Sequence, residues 1–156
     1  MSNPNRARGR RWEAALVKFF HRFGIDAFSP VQEGFTDSGD IHGLSPFVGQ
    51  AKDWRNWQDA IREGLDGVER QKHRAGEMYG VAFVKRARRP VDEGYAVMNV
   101  ATFALLLRRL RRAETLLWRH VPTVFVEHMQ QVDSERTANA DMSTRVSSDS
   151  EKVSDA

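Results

Sequence analysis

Glu13, Asp40, Gln50 and Lys52 have the types and spacing for phosphodiester chemistry. Cutting a phosphodiester calls for a hard cation held by oxygen ligands, an activated water and positive charge beside the developing phosphorane. Asp40 is the main candidate metal ligand, Glu13 the second, and the Ala51 carbonyl a candidate third. Lys52 would orient or help deprotonate the water and stabilise charge in the transition state. Strand parity supports the grouping. If Phe47–Lys52 is extended, Val48, Gln50 and Lys52 share one face while Phe47, Gly49 and Ala51 share the other. Asp40 and His42 point together on the segment before it, so a hairpin sets Asp40 beside Gln50 and Lys52. In a helix turning roughly 100° per residue, Glu13 lies about 60° from Leu16, at the border of the apolar stripe and facing the sheet edge. Arg6 and Arg10 fall on the same side of that helix.

Each of these residues has an ordinary role too. Asp40 after Gly39 suits a turn, and Lys52 suits a surface charge at a strand end; the set and its spacing point to catalysis. The five histidines form no H-x-x-x-H pair. His42 shares the candidate site face and reads as a structural or DNA-contacting residue rather than a ligand. Trp54 and Trp57 suit stacking on exposed bases, although packing of the following helix is the better fit. Arg108-Arg109 and Arg111-Arg112 suit phosphate contact and a solvated helix face equally.

The elements that must position these residues can be read from periodicity. Residues 7–23 have Trp12, Leu16, Phe19, Phe20 and Phe23 at helical spacing, with Gly24 at the C-cap position. Three short extended pieces follow, Asp26–Val31, Gly39–His42 and Phe47–Lys52, the last two forming a hairpin closed by Gly43-Leu44-Ser45-Pro46. A second helix fits 56–75, capped by Asn56, with Trp57, Ile61, Leu65 and Val68 inward. Tyr79–Lys85 and Gly94–Val100 read as strands joined by a turn over Arg86–Glu93. Residues 101–112 return to helix with Phe103, Leu106, Leu107 and Leu110 inward. The order α-β-β-β-α-β-β-α is that of an α/β or α+β sandwich on a mixed sheet. Residues 113–128 extend the last helix and add a short strand, VPTVFV. From Met129 to residue 156 the composition reads as a disordered, acidic, polar tail, leaving 1–128 as one domain with its core at about 7–112.

Composition bounds the function class. The 156 residues carry 24 Lys and Arg against 21 Asp and Glu, which suits one globular domain with a solvated surface. Of these charges, Arg136, Arg145 and Lys152 face Asp133, Glu135, Asp141, Asp149, Glu151 and Asp155 in the last 28 residues. The body is therefore more basic than the net charge of +3 suggests, which favours a polyanionic partner or serves as a solubility balance. Cysteine is absent, so disulfide frameworks and cysteine zinc sites are excluded. No signal peptide or membrane span is expected, and the cytoplasm is the expected location.

Gly39-Asp40-Ile41, a spacing of ten from Asp40 to Gln50, and Gln50-Ala51-Lys52 resemble the D-x(n)-(D/E)-x-K signature of PD-(D/E)XK nucleases. The helix carrying Arg11-Trp12-Glu13-Ala14 resembles the glutamate-bearing helix of archaeal and phage Holliday junction resolvases in that superfamily. The similarity covers about residues 7–110. It implies a restriction-endonuclease-like fold and a Mg2+-dependent endonuclease (Mn2+ as the alternative) that cuts four-way DNA junctions. It also implies a homodimer in a bacterial cytoplasm, either phage-borne or of the bacterium itself. The metal would be held by Asp40, Gln50 and Glu13. DNA would be contacted by Arg6, Arg8, Arg10, Arg11, Lys52, Trp54 and Arg55. Candidate dimer faces are Trp57–Val68 and the 101–112 helix. Gln50 departs from the family pattern, which has an acid there. An amide offers an oxygen without charge and cannot act as a base, so Glu33, Asp37 or Asp53 would have to supply the missing carboxylate, or Gln50 ligates as a neutral oxygen. The competing readings are another PD-(D/E)XK nuclease acting on duplex DNA, or a non-catalytic DNA-binding module whose site has decayed.

Overall fold

The computed structural model describes residues 4–30 and 39–152. Glu33, Asp37 and the Val31 end of the first extended piece lie outside them. Among the described residues the fold is mixed α+β, with four helices and a three-stranded mixed sheet. Its elements are α1 (Pro4–His21), β1 (Phe47–Lys52), α2 (Trp57–Ala75), β2 (Tyr79–Val84), a 3-10 turn (Val91–Glu93), β3 (Tyr95–Val97), α3 (Val100–His120) and α4 (Pro122–Lys152). None of the described helices is long and apolar enough to cross a membrane. Two compact units divide the chain, residues 1–106 and 107–156.

In the first unit the sheet order is β1-β2-β3, with β1 parallel to β2 and β3 antiparallel to it. All six residues of β2 are buried, as a central strand covered on both faces requires. Trp12 and Leu16 of α1 pack with Ala51, Val81 and Phe83 on one face of the sheet, joined by Ala27 and Ile41. The indole of Trp12, 3% exposed, donates to the Phe83 carbonyl at 3.0 Å, so its polar end is satisfied within the core. On the other face Gly64, Gly67 and Val68 of α2 lie against Ala82, Gln50 and Gly80.

α2 starts where the sequence places it. Asn56 accepts from the amides of Gln58 and Asp59, satisfying donors the first turn leaves open. It ends at Gly76, whose φ of 68° is left-handed. Its inward face differs from the expected one. Ala60, Gly64, Gly67, Val68 and Gln71 are buried, whereas Trp57 is 49% exposed and Ile61 and Leu65 are only partly covered. Two glycines on the contact face let the helix sit close to β1 and β2, which rotates its bulky side chains toward the margins. A Cβ on Gly67 would overlap the Gln50 side-chain amide. Alanine gains about 1 kcal/mol over glycine in a helix, but overpacking of this kind costs about 1–3 kcal/mol. Gly67→Ala should therefore lower the denaturant midpoint, and adding Gln50→Ala should recover most of the loss. A double variant as unstable as Gly67→Ala alone would place the cost in the backbone instead.

Four further expectations are corrected. The pieces Asp26–Val31 and Gly39–His42 are not strands among the described residues; the isolated antiparallel bridge Phe28–His42 joins them to each other, and Ile41–Gly49 joins the second of them to β1. Phe103 and Leu110 of α3 do not point inward, being 53% and 50% exposed, and Thr102 is the buried residue of that helix. VPTVFV is not a strand. Pro122, lacking an N–H, sits at the first turn of α4, where its fixed φ suits a helix start, and the Phe125 amide donates to the Val121 carbonyl at 3.1 Å. Met129 to Lys152 continue as helix where an unstructured tail was expected; good helix formers such as Gln130, Gln131, Glu135, Arg136 and Ala138 suit that conformation.

Candidate active site

Asp40 is placed by the pairing on either side of it. Its amide and that of Ile41 both donate to the Gly49 carbonyl, at 2.9 and 3.1 Å. Gly43 turns the chain between these segments with φ at +78°, and a Cβ there would run into the Asp26 backbone. This holds the Asp40 carboxylate against β1, where Oδ2 accepts from the Ala51 amide at 2.9 Å. The segment bearing Asp40 therefore meets β1 through the single bridge Ile41–Gly49 and the Asp40–Ala51 bond, where a strand hairpin was expected.

Glu13 is half-buried, and its Oε2 accepts from the Ser29 hydroxyl at 2.9 Å. The antiparallel bridge between Phe28 and His42 runs Ser29 alongside Ile41 and toward Asp40. Glu13 is thus tied to the segment that pairs with the one bearing Asp40. Sequence reasoning had missed Ser29. His42 packs its ring against Phe28, with centroids 5.5 Å apart.

Gln50 and Lys52 point together to the α2 face, as strand parity requires. Gln50 is 8% exposed. In the orientation that satisfies its amide, the NH2 group donates to the Gly64 carbonyl at 3.0 Å and the oxygen accepts from Lys52 Nζ at 3.2 Å. The Lys52 ammonium also lies 5.6 Å from the centre of the Trp54 ring. Gln50 therefore has both polar ends engaged within the protein, and its oxygen serves the lysine. The Gly64-x-x-Gly67 spacing, two small residues on one helix face, was the sequence signal for this close approach.

Asp53, one of the acids considered in place of Gln50, is bound by two cations. Arg8 Nη2 donates to its carbonyl at 2.6 Å and lies 3.4 Å from Oδ1, while Lys85 Nζ lies 3.2 Å from Oδ2. Arg8 thereby joins α1 to the end of β1, its side chain 37% exposed. Arg6, Arg10, Arg11 and Arg55 are exposed. Trp54 is 44% exposed, so it and Trp57 do not form the core of α2. Trp57 and Tyr95 rings lie 6.0 Å apart, and the Arg86 guanidinium stands 5.1 Å from the Tyr95 ring. An aromatic surface with cations over it results, and sequence reasoning had found only its tryptophans.

The hard oxygen donors here are the carboxylates of Asp40 and Glu13. Among the described residues no three of His, Asp and Glu gather into a metal-holding group. Mg2+ keeps several waters and is bound through one or two carboxylates, so the donor chemistry fits that ion. Comparison with known protein families, curated proteins and solved structures finds no match to this chain.

Proposed function

We propose that this protein is a metal-dependent endonuclease with a restriction-endonuclease-like core, acting on branched DNA and above all on four-way junctions. The observation that carries the reading is the bond from the Ala51 amide to Asp40 Oδ2 at 2.9 Å. It sets the Asp40 carboxylate against the strand that carries Gln50-Ala51-Lys52.

In this reading Asp40 and Glu13 would hold Mg2+ (or Mn2+), which when bound supplies Lewis acidity and a more acidic water. Ser29 orients Glu13 by donating to one of its oxygens. Lys52, anchored by the Gln50 oxygen, presents its remaining N–H groups to a phosphoryl oxygen as negative charge develops. Gln50 then acts by holding Lys52 rather than as a ligand. Arg6, Arg10, Arg11 and Arg55 contact phosphates, which position the nucleic acid without reading its sequence. A homodimer provides the two symmetric cuts that a junction needs, in the cytoplasm of a bacterium or of a phage-infected cell.

The test is cleavage of a synthetic four-way junction against linear duplex of the same sequence, with and without Mg2+. Metal-dependent paired cuts in the junction support the reading, and cutting of both substrates alike supports a duplex nuclease. The engaged amide of Gln50 and the absence of a third acid among the described residues favour a second reading, a DNA-binding module without catalysis. That reading expects junction binding and no cut at any metal concentration.

The exposed aromatics carry a prediction of their own. Stacking on an aromatic side chain contributes about 1–3 kcal/mol per base, so Trp57→Ala should weaken binding of a single-stranded oligothymidylate about tenfold. Fluorescence titration against the Trp54→Ala variant gives the comparison. Equal affinities for both variants and the unaltered chain would remove base stacking from the proposal.

A further inference from the structure

Among the described residues, the second unit presents a run of exposed apolar side chains. Leu110, Leu116, Trp118, Val121, Val124, Val126, Met129 and Val132 are all exposed by 36% or more. Contiguous exposed apolar surface of this kind marks an association site. The spacing is specific. Leu107, Leu110, Leu117, Val121 and Val124 follow alternating steps of three and four residues, with Glu114 filling the missing position, the pattern of a helix seam that faces another helix. Trp118 and Phe125 flank the seam, their rings 5.4 Å apart across the break at Val121.

Charge along these helices decides what covers the seam. Arg108, Arg109, Arg111, Arg112 and Arg119 lie before the break, against the single acid Glu114. Glu127, Asp133, Glu135, Asp141, Asp149 and Glu151 lie after it, against Arg136, Arg145 and Lys152. We propose that α3 and α4 pair antiparallel with α3 and α4 of a second copy, the two-fold axis passing near Val121. That crossing sets Leu110 beside Val132 and Leu117 beside Val124 and Phe125. It sets the arginines of one copy against the acids of the other. A parallel pair would stack arginines on arginines and acids on acids, which costs rather than contributes. The two breaks at Val121 also coincide at the axis.

This pairing names the interface of the dimer proposed above, and its test reads assembly alone, so its failure and that of the nuclease reading are distinguishable. Sedimentation of the full chain at micromolar concentration should give twice the chain mass. Leu110→Glu with Leu117→Glu should return the mass to that of one chain without loss of the melting transition, since both side chains lie outside the cores described. Orientation is read by cross-linking, made clean by the absence of native cysteine. Mixing Leu110→Cys chains with Val132→Cys chains under mild oxidation should yield the mixed disulfide well above either self-linked product. A chain that is monomeric throughout, or a dimer that survives both glutamates, overturns the surface. Self-linking of Leu110→Cys in preference to the mixed product overturns the antiparallel arrangement.

Discussion

Replacing Asp40 with asparagine is expected to stop junction cleavage while leaving the junction bound. The substitution keeps the shape of the side chain and an oxygen able to accept from the Ala51 amide, so the bond at 2.9 Å and the bridge of this segment to β1 survive. What disappears is the charge that would hold the cation. Lewis-acid stabilisation is worth several kcal/mol of the barrier, so the rate should fall about a thousandfold, given that each 1.36 kcal/mol is tenfold. Junction affinity should hold or rise, because one negative charge near the phosphates is gone. Initial cleavage rates and gel-shift affinity, measured on the same preparation, check both halves. A variant cutting within tenfold of the unaltered rate would take Asp40 out of the site.

The next largest effect is expected at Lys52, and Gln50 gives it a built-in control. Removing a donor aimed at transition-state charge costs about 100- to 1000-fold, so Lys52→Ala should lose that much in rate. Gln50 holds the Lys52 ammonium at 3.2 Å, so Gln50→Ala should lose less, about tenfold, the range for an orienting partner. The Mg2+ concentration at half-maximal rate should be the same for Gln50→Ala as for the unaltered protein, because Gln50 offers its oxygen to a lysine rather than to the ion. Gln50→Glu sharpens the contrast. A carboxylate keeps the lysine but loses the donor to Gly64 and faces that carbonyl directly, so stability should fall while the Mg2+ midpoint stays. A midpoint that moves with the residue at position 50 would make Gln50 a ligand after all.

The legible and illegible parts of this protein divide on physical lines. Alternation along Phe47–Lys52 placed Gln50 and Lys52 on one face, since parity in a strand leaves no freedom. Asn56 was legible as a cap because an amide oxygen ahead of a helix has one recurrent use. The contact face of α2 was not, because its closest approaches are made by Gly64 and Gly67, which carry no hydrophobic signal, while Trp57 advertised a core position it does not occupy. The Arg8–Asp53–Lys85 cluster joins residues far apart in sequence, and no local pattern announces such a pair. In α3, periodicity correctly marked Phe103 and Leu110 as one apolar stripe but could not say whether the chain itself would cover it. The same holds for the segment after Met129, where polarity was read as lack of order although polar residues with good helix propensity can continue a helix.

The parallel pairing of β1 with β2 has a consequence for how the chain reaches this structure. Parallel neighbours cannot be joined by a tight turn and need a crossover between them. Here Phe47 meets Tyr79 and Lys52 meets Val84 only after the whole of α2 has been traversed. The entropy of closing that loop must be met before any of the six pairings repays it. A formed α2 shortens the effective span, since a helix rises only about 1.5 Å per residue. Strand pairing therefore waits on the helix, and the cap at Asn56 bears on the speed of folding as well as on the depth of the final energy minimum.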